Sequence, residues 1–182
     1  VSGGVYAGAL LAEPHYPDLV HDVVDHFATF EIPDEPTDYV WNLPVGFPLP
    51  PIPEDNPMTT EKVALGRYLF YDPRLSGNGP MSCASCHFPE LALTDGLAVP
   101  VGSTGEAHVR NSQTLANIAY NASYTWGNPV LAEIEDQVVI PLFGEFPVEM
   151  GVTGNEAEVI SRLRDDDLYP YLFAAAYPDA DD

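Results

Sequence analysis

Residues 83–87 read Cys-Ala-Ser-Cys-His, and this run constrains the chain more than any other feature. Two thiols separated by two residues and followed at once by an imidazole are spaced for attachment of a c-type haem. Each thiol can add to one haem vinyl group, and the histidine then lies beneath the macrocycle, where a ring nitrogen can reach iron. Cys83 and Cys86 are therefore the candidates for covalent attachment of one haem c, and His87 for its proximal ligand.

Cys-x-x-Cys alone also fits a redox dithiol, half of a zinc site or a local disulfide; the adjacent histidine moves the weight to haem. A structural zinc site needs two further, closely spaced ligands, and His15, His21, His26 and His108 supply no convincing pair. A thioredoxin-like motif would follow a strand and open a helix, whereas this one follows Ser76-Gly77-Asn78-Gly79-Pro80, which reads as loop.

With 182 residues, 46% of them hydrophobic, the chain is long enough for one sizeable core plus extensions and is not disordered by composition. Its charge is lopsided: 28 acidic residues face 6 basic ones, for a formal net charge of -22, and Lys62 is the only lysine. Such a surface repels nucleic-acid phosphates and anionic lipid, so a nucleic-acid role is excluded, while basic proteins or cations would be steered toward it. Acidity that serves solubility alone is the alternative. No apolar run reaches the 18 residues that a membrane span requires. Residues 1–12 lack both an initiator Met and a basic segment, as a processed terminus or a chain cut from something longer would. Haem attachment of this kind places the protein in the periplasm or otherwise outside the cytoplasm.

Three segments are expected: an N-terminal extension with one amphipathic helix (1–30), a proline-rich strap (31–57) and a cytochrome c-like haem domain (58–182). Leu19, Val20, Val23, Val24 and Phe27 fall at helical spacing, with acids and histidines opposite; His21 and Asp25 could chelate a metal or simply be a solvated face. The run Leu43-Pro44-Val45-Gly46-Phe47-Pro48-Leu49-Pro50-Pro51-Ile52-Pro53 must be extended, because successive prolines remove backbone donors and fix φ. A strap packed on the domain surface suits it better than a proline-recognition ligand. Thr59 or Thr60 can cap a helix that ends at Asp72-Pro73. After loop over 88–110, Ser112 is expected to cap a helix running to Tyr120, and a further helix over 131–140 to stop at Pro141. Asn155 with Glu158 resembles a capping box for a helix over 159–163, and 168–177 reads as a last apolar helix. The class is mainly α, with long ordered loops.

The run Leu65-Gly66-Arg67-Tyr68-Leu69-Phe70-Tyr71-Asp72-Pro73-Arg74-Leu75-Ser76-Gly77, then the Cys-x-x-Cys-His motif, Leu93-Thr94-Asp95-Gly96 and Arg110-Asn111, resembles the N-terminal haem domain of bacterial di-haem cytochrome c peroxidases and their MauG-like relatives. Trp41-Asn42-Leu43-Pro44 and Pro141-Leu142-Phe143-Gly144-Glu145-Phe146-Pro147-Val148-Glu149-Met150-Gly151 are most similar to the branch associated with methanobactin operons. The resemblance covers roughly residues 39–180.

That resemblance implies an iron with His87 on one side and an open distal face where hydrogen peroxide binds. It assigns the distal glutamate to Glu149, and the glutamine and proline that shape the pocket to Gln137 and Pro141. A carboxylate there can move a proton between the two peroxide oxygens; a cap or surface acid is its bland alternative. Trp126 matches the tryptophan that relays electrons between two haems, and can equally be a core aromatic. Asn111 matches a residue that helps bind calcium between domains, although that ion wants six or more oxygens and one asparagine cannot make the site.

The departures matter too. Where relatives that need reductive activation carry a distal histidine, this chain has Ser103, with His108 a few residues later. An open, five-coordinate iron is expected; His108 on the iron would make a closed, electron-carrying site. No second Cys-x-x-Cys-His exists in the 182 residues. The chain is then a fragment, a one-haem subunit or a shortened lineage, with an electron-transfer protein or a second haem domain as partner. Two functions compete: a peroxidase-type enzyme or enzyme half using Glu149, and an electron-transfer cytochrome subunit without chemistry of its own. The sixth ligand separates them, with Met58, Met81, Met150 and His108 as the strong-ligand choices.

Overall fold

Four α-helices supply the regular structure among the described residues: α1 (Thr60–Tyr71), α2 (Ile134–Phe143), α3 (Glu156–Arg164) and α4 (Tyr169–Ala176). The computed structural model describes residues 35–126 and 129–180. The helix expected over 19–27, with His21 and Asp25, lies outside them. Long loops with short 3-10 turns and isolated bridges join the helices, and no strand forms among the described residues. The mainly α, cytochrome c-like class read from the sequence is the class observed.

The core sits where α1 meets α4. Thr59 caps α1 by accepting the Lys62 N–H on its hydroxyl (3.1 Å), and Asp72 ends the helix because the following proline disfavours helical backbone. Leu65 of α1 packs against Tyr169, Leu172 and Ala176, which recur at helical spacing along α4. Asp166 starts α4: its carboxylate accepts the N–H groups of Leu168 (2.9 Å) and Tyr169 (3.3 Å). Pro170 in the first turn loses no helical bond. A charged network closes the same junction. The Tyr169 hydroxyl, on a residue only 2% exposed, donates to Asp72 (2.8 Å), and Arg74 bridges Asp72 and Asp166 at 2.7 Å each. A second cluster, Met150, Val152 and Val159 with Leu75, Met81 and Leu142, joins α2 and α3 to the loop ahead of the cysteines.

The strap is extended and lies along the domain. Thr37 donates its N–H to the buried Glu61 carboxylate (2.9 Å) and accepts the Thr60 N–H (2.8 Å), and the Tyr120 hydroxyl donates to the Pro48 carbonyl (2.8 Å). Phe47 meets the Tyr120 ring edge-on at 6.0 Å.

Three expectations fail for local reasons. The segment 112–120 is not a helix; only a 3-10 turn, Ile118–Tyr120, forms. Thr114 accepts the Ala116 N–H on its hydroxyl and donates to the Ala92 carbonyl, and Asn117 turns left-handed (φ 58), so side-chain bonds displace the helical ladder. The helix expected over 131–140 is instead α2, which runs through Pro141 to Phe143. The bond lost at the proline nitrogen falls near the helix end, where Gly144 still reaches the Ile140 carbonyl (2.8 Å). At α3 the capping box does not form. The Asn155 amide donates to Gly151 O (3.1 Å), and Glu158 instead accepts from Arg162 (3.3 Å).

Candidate haem-binding and distal site

The cysteines sit on a 3-10 turn, Cys83–Ser85, closed by the Cys86 N–H on the Cys83 carbonyl (3.1 Å) and by the Ser82 N–H on the Ser85 hydroxyl (3.1 Å). Both thiols are free and partly buried. His87 follows, with Nδ1 2.8 Å from the Leu93 carbonyl. A carbonyl can only accept, so Nδ1 carries the proton and Nε2 is left as the metal-binding nitrogen. The aim of that carbonyl comes from two successive left-handed residues, Ala92 (φ 57) and Leu93 (φ 60), a conformation that costs non-glycine residues energy. It explains the part played by Leu93-Thr94-Asp95-Gly96, whose side chains gave no sign of it.

Burial pushes the Cys86 thiol up to about 11, helped by the charges of Asp95 and Glu149 and opposed by a hydrogen bond with the Ser112 side chain. Burial and Glu149 raise Cys83 as well. Among the described residues no group of three or more His, Cys, Asp and Glu is placed to hold a metal ion. The two thiols and an imidazole with a fixed tautomer stand together on one short turn.

Glu149 is brought to the same place from far along the chain. Its charge acts on both thiols, and its own carboxyl is raised by burial, with His108 and His87 pulling the other way. Main-chain bonds from separate segments fix its peptide. Ser103 donates its N–H to the Glu149 carbonyl (2.7 Å), Gly77 to the Met150 carbonyl (2.8 Å), and Met150 to the Pro141 carbonyl (2.9 Å). Gly77 and Gly102 lie so close to the carbonyls of Gly151 and Val148 that neither has room for a Cβ. The Asn78 amide then ties the two loops together by donating to Ser103 O (2.7 Å).

Gln137 and Pro141 lie four apart on α2, hence on one face of it, and the Pro141 carbonyl holds the residue after Glu149. The Pro141 carbonyl thereby ties α2 to the segment that carries Glu149. Of the methionines, Met150, 3% exposed, and Met81 are packed into the second apolar cluster, and Met58 lines a cleft beside the strap with Trp41 and Tyr177. His108 is partly buried and electrostatically in touch with Glu149.

Trp126 and Asn111 belong to another neighbourhood. With Thr94, Gln113, Thr114 and Tyr124 they line a cleft of about 300 Å³. Trp126 is 47% exposed, and the Arg110 guanidinium lies over its ring at 5.8 Å. Asn111 is exposed, its amide makes only a long 3.5 Å bond to Ser112 O, and its polar neighbours in the cleft are uncharged, which offers calcium little. Ser112 lines this cleft and bonds Cys86, so it links the tryptophan side to the attachment turn.

The family follows from likeness to known proteins. The family model for di-haem cytochrome c peroxidase matches residues 60–182. The chain is 45% identical over 123 residues to cytochrome-c peroxidase IdrP1 of Denitromonas iodatirespirans, covering 66% of this chain and 31% of that protein. It is 33% identical over 129 residues to the methylamine utilization protein MauG of Methylophilus methylotrophus, covering 71% and 37%. A solved MauG-like protein associated with microbial copper homeostasis superposes with a TM-score of 0.76 at 48% identity, over 79% of this chain and 41% of that one. The chain thus spans about a third of the length of the curated relatives it matches. Family members are periplasmic haem c proteins, usually with two haems, and among the described residues no helix is long and apolar enough to cross a membrane. With haem-attachment turn, fixed histidine and family match in agreement, the chain belongs to the di-haem cytochrome c peroxidase family.

Proposed function

We propose that this chain forms the peroxide-reacting haem domain of an extracytoplasmic peroxidase or MauG-like oxidase, with Cys83 and Cys86 attaching one haem c and His87 holding its iron. What carries the reading is Glu149, a partly buried carboxyl whose pKa burial raises, in a segment held by main-chain bonds and acting electrostatically on both attachment thiols. When bound, the haem supplies the electrons that break the O–O bond. Glu149 takes a proton from the inner peroxide oxygen and returns it to the outer one, for which a carboxyl able to exist in both protonation states is suited. Gln137 and Pro141 line the space it works in. Met150, buried, and Met81, partly buried, pack into the second apolar cluster, which favours an open iron over an electron-carrying cytochrome with a methionine ligand.

Reducing one peroxide to two waters consumes two electrons and two protons, so a partner must deliver reducing equivalents: an electron-transfer protein or a second haem domain. Trp126, exposed under Arg110, is the relay, and the acidic surface favours a basic partner. Calcium at Asn111 would need oxygens from outside the cleft.

Replacement of Glu149 tests the reading. Glu149→Gln should keep the haem and its ferric spectrum but slow the peroxide reaction by about 10²- to 10⁴-fold. A wild-type haem that is low-spin and inert to peroxide sinks the enzyme reading and leaves an electron carrier with His108 on the iron.

A further inference from the structure

The loop between Pro100 and His108 is tightly built. Gly102 donates its N–H to the Glu106 carbonyl (2.8 Å), Gly105 to the Gly102 carbonyl (2.9 Å) and His108 to the Pro100 carbonyl (2.9 Å), while Val101 pairs with Ala107. It meets the distal segment at three points. The Ser103 N–H holds the Glu149 carbonyl, Gly102 lies flush against the Val148 carbonyl, and the Glu106 carboxylate accepts the Val148 N–H at 3.3 Å. Of these, the Glu106 bond alone depends on a side chain. It fixes the Pro147–Val148 peptide, so that the chain is tied to one loop both at the N–H of Val148 and at the carbonyl of Glu149.

From this geometry we infer that Glu106 is a positioning residue for the distal acid–base group: its carboxylate anchors the Pro147–Val148 peptide and, through the one residue that follows it, the Glu149 carboxyl. The inference rests on the role proposed for Glu149 and adds the device that aims it. Glu106 itself is exposed and touches no reacting atom. Its action is mechanical: losing the bond frees the segment at Val148 to shift about the anchor at the Glu149 carbonyl, and small misplacements of a catalytic group carry large kinetic penalties.

The test uses the haem-loaded full chain and a readout independent of turnover, the rate at which ferric haem takes up cyanide, followed by absorption. Hydrogen cyanide binds as the anion and leaves its proton on a nearby base, so the rate reports whether Glu149 is correctly placed. Glu106→Ala should slow both cyanide uptake and the peroxide reaction about tenfold at unchanged haem content and unfolding midpoint. Glu106→Gln, which keeps an acceptor oxygen at the same reach, should stay within about twofold of wild type. Glu106→Asp keeps the charge but is one methylene shorter, and should behave like Glu106→Ala; it stands in if the alanine variant fails to fold. In the Glu149→Gln background, Glu106→Ala should have no further effect, because the group it aims is gone.

Equal rates in Glu106→Ala and wild type overturn the inference. So does a Glu106→Gln variant as slow as Glu106→Ala, which would make charge the cause, or effects of the two sites that simply multiply. A wild type that takes up cyanide but ignores peroxide overturns the proposed enzyme function, while the cyanide rates still decide the role of Glu106. A ferric haem that refuses both ligands overturns both.

Discussion

The α1–α4 junction is held by side chains, whereas the distal segment around Glu149 is held by main-chain atoms. At the junction, Leu65, Tyr169, Leu172 and Ala176 bury apolar surface, and Asp72, Arg74, Asp166 and Tyr169 close it with charged hydrogen bonds. At the distal segment, apart from the Glu106 carboxylate on the Val148 N–H, the bonds run from Ser103 N, Gly77 N and Met150 N to carbonyls, and two glycines let backbone segments touch. The first region can be weakened by removing one side chain. The second is weakened by adding one.

Tyr169→Ala attacks the first region and should have the largest effect. Truncating a fully buried aromatic costs about 3–5 kcal/mol, and this one also leaves Asp72 short of a donor. Equilibrium unfolding of the haem-loaded chain in urea measures it; a loss under about 1 kcal/mol would mean that the junction is not the core it looks like.

Gly102→Ala attacks the second. A Cβ there runs into the Val148 carbonyl, so either the 100–108 loop or the distal segment must shift. Overpacking of this kind costs about 1–3 kcal/mol, less than Tyr169→Ala. Its kinetic effect should be the larger one: the peroxide reaction should fall at least tenfold, since the displaced atoms adjoin Glu149. If stability falls and the reaction rate does not, the main-chain clamp has nothing to do with the placement of Glu149.

The junction network also sets a pH window. Burial works against ionisation of Asp166, but bonds from Arg74 and from the Leu168 and Tyr169 N–H groups outweigh it, and its pKa lies below the usual carboxylate value. A depressed carboxyl stabilises the fold above its unfolded pKa of about 3.9, and that stability is lost as pH falls through the folded value. Burial, then the bond to Asp72, push the Tyr169 phenol far above its ordinary range. A raised phenol stabilises fully below about pH 10 and loses that contribution as pH rises further. The stability this network contributes should therefore hold between about pH 4 and 10 and fall on both sides, read as the difference in thermal midpoint between wild type and network variants. Tyr169→Phe should lower the plateau and flatten the alkaline fall; an alkaline limb identical to wild type would assign it to other groups.

How much was legible in the sequence follows the same divide. Cys83, Cys86 and His87 could be read because their chemistry is in their side chains, as could α1 and α4, whose apolar spacing and caps are local. The segment 112–120 was misread because its apolar spacing suits a helix while Thr114 and Asn117 bind locally and turn the chain. Glu149, Gln137 and Pro141 became candidates only through resemblance to a family: nothing in the local sequence says that residues 77, 103 and 141 will meet around the Glu149–Met150 segment. Glu106 had no signal at all beyond being one acid among 28 in the chain.

The smallest effect sharpens the contrast from the proximal side, where backbone shape rather than backbone bonding is at stake. Ala92 is exposed and left-handed at φ 57, and the next residue, Leu93, repeats the conformation to aim its carbonyl at His87. Alanine is strained there by about 1 kcal/mol and glycine is not, while the extra freedom of glycine in the unfolded chain takes back part of the gain. Ala92→Gly should therefore raise stability by about 0.5 kcal/mol, or leave it unchanged, with the haem spectrum intact. Most glycine substitutions in an ordered loop destabilise, so a clear loss here would show that the left-handed pair does not hold the carbonyl in place, and that the His87 tautomer is set by something other than Leu93.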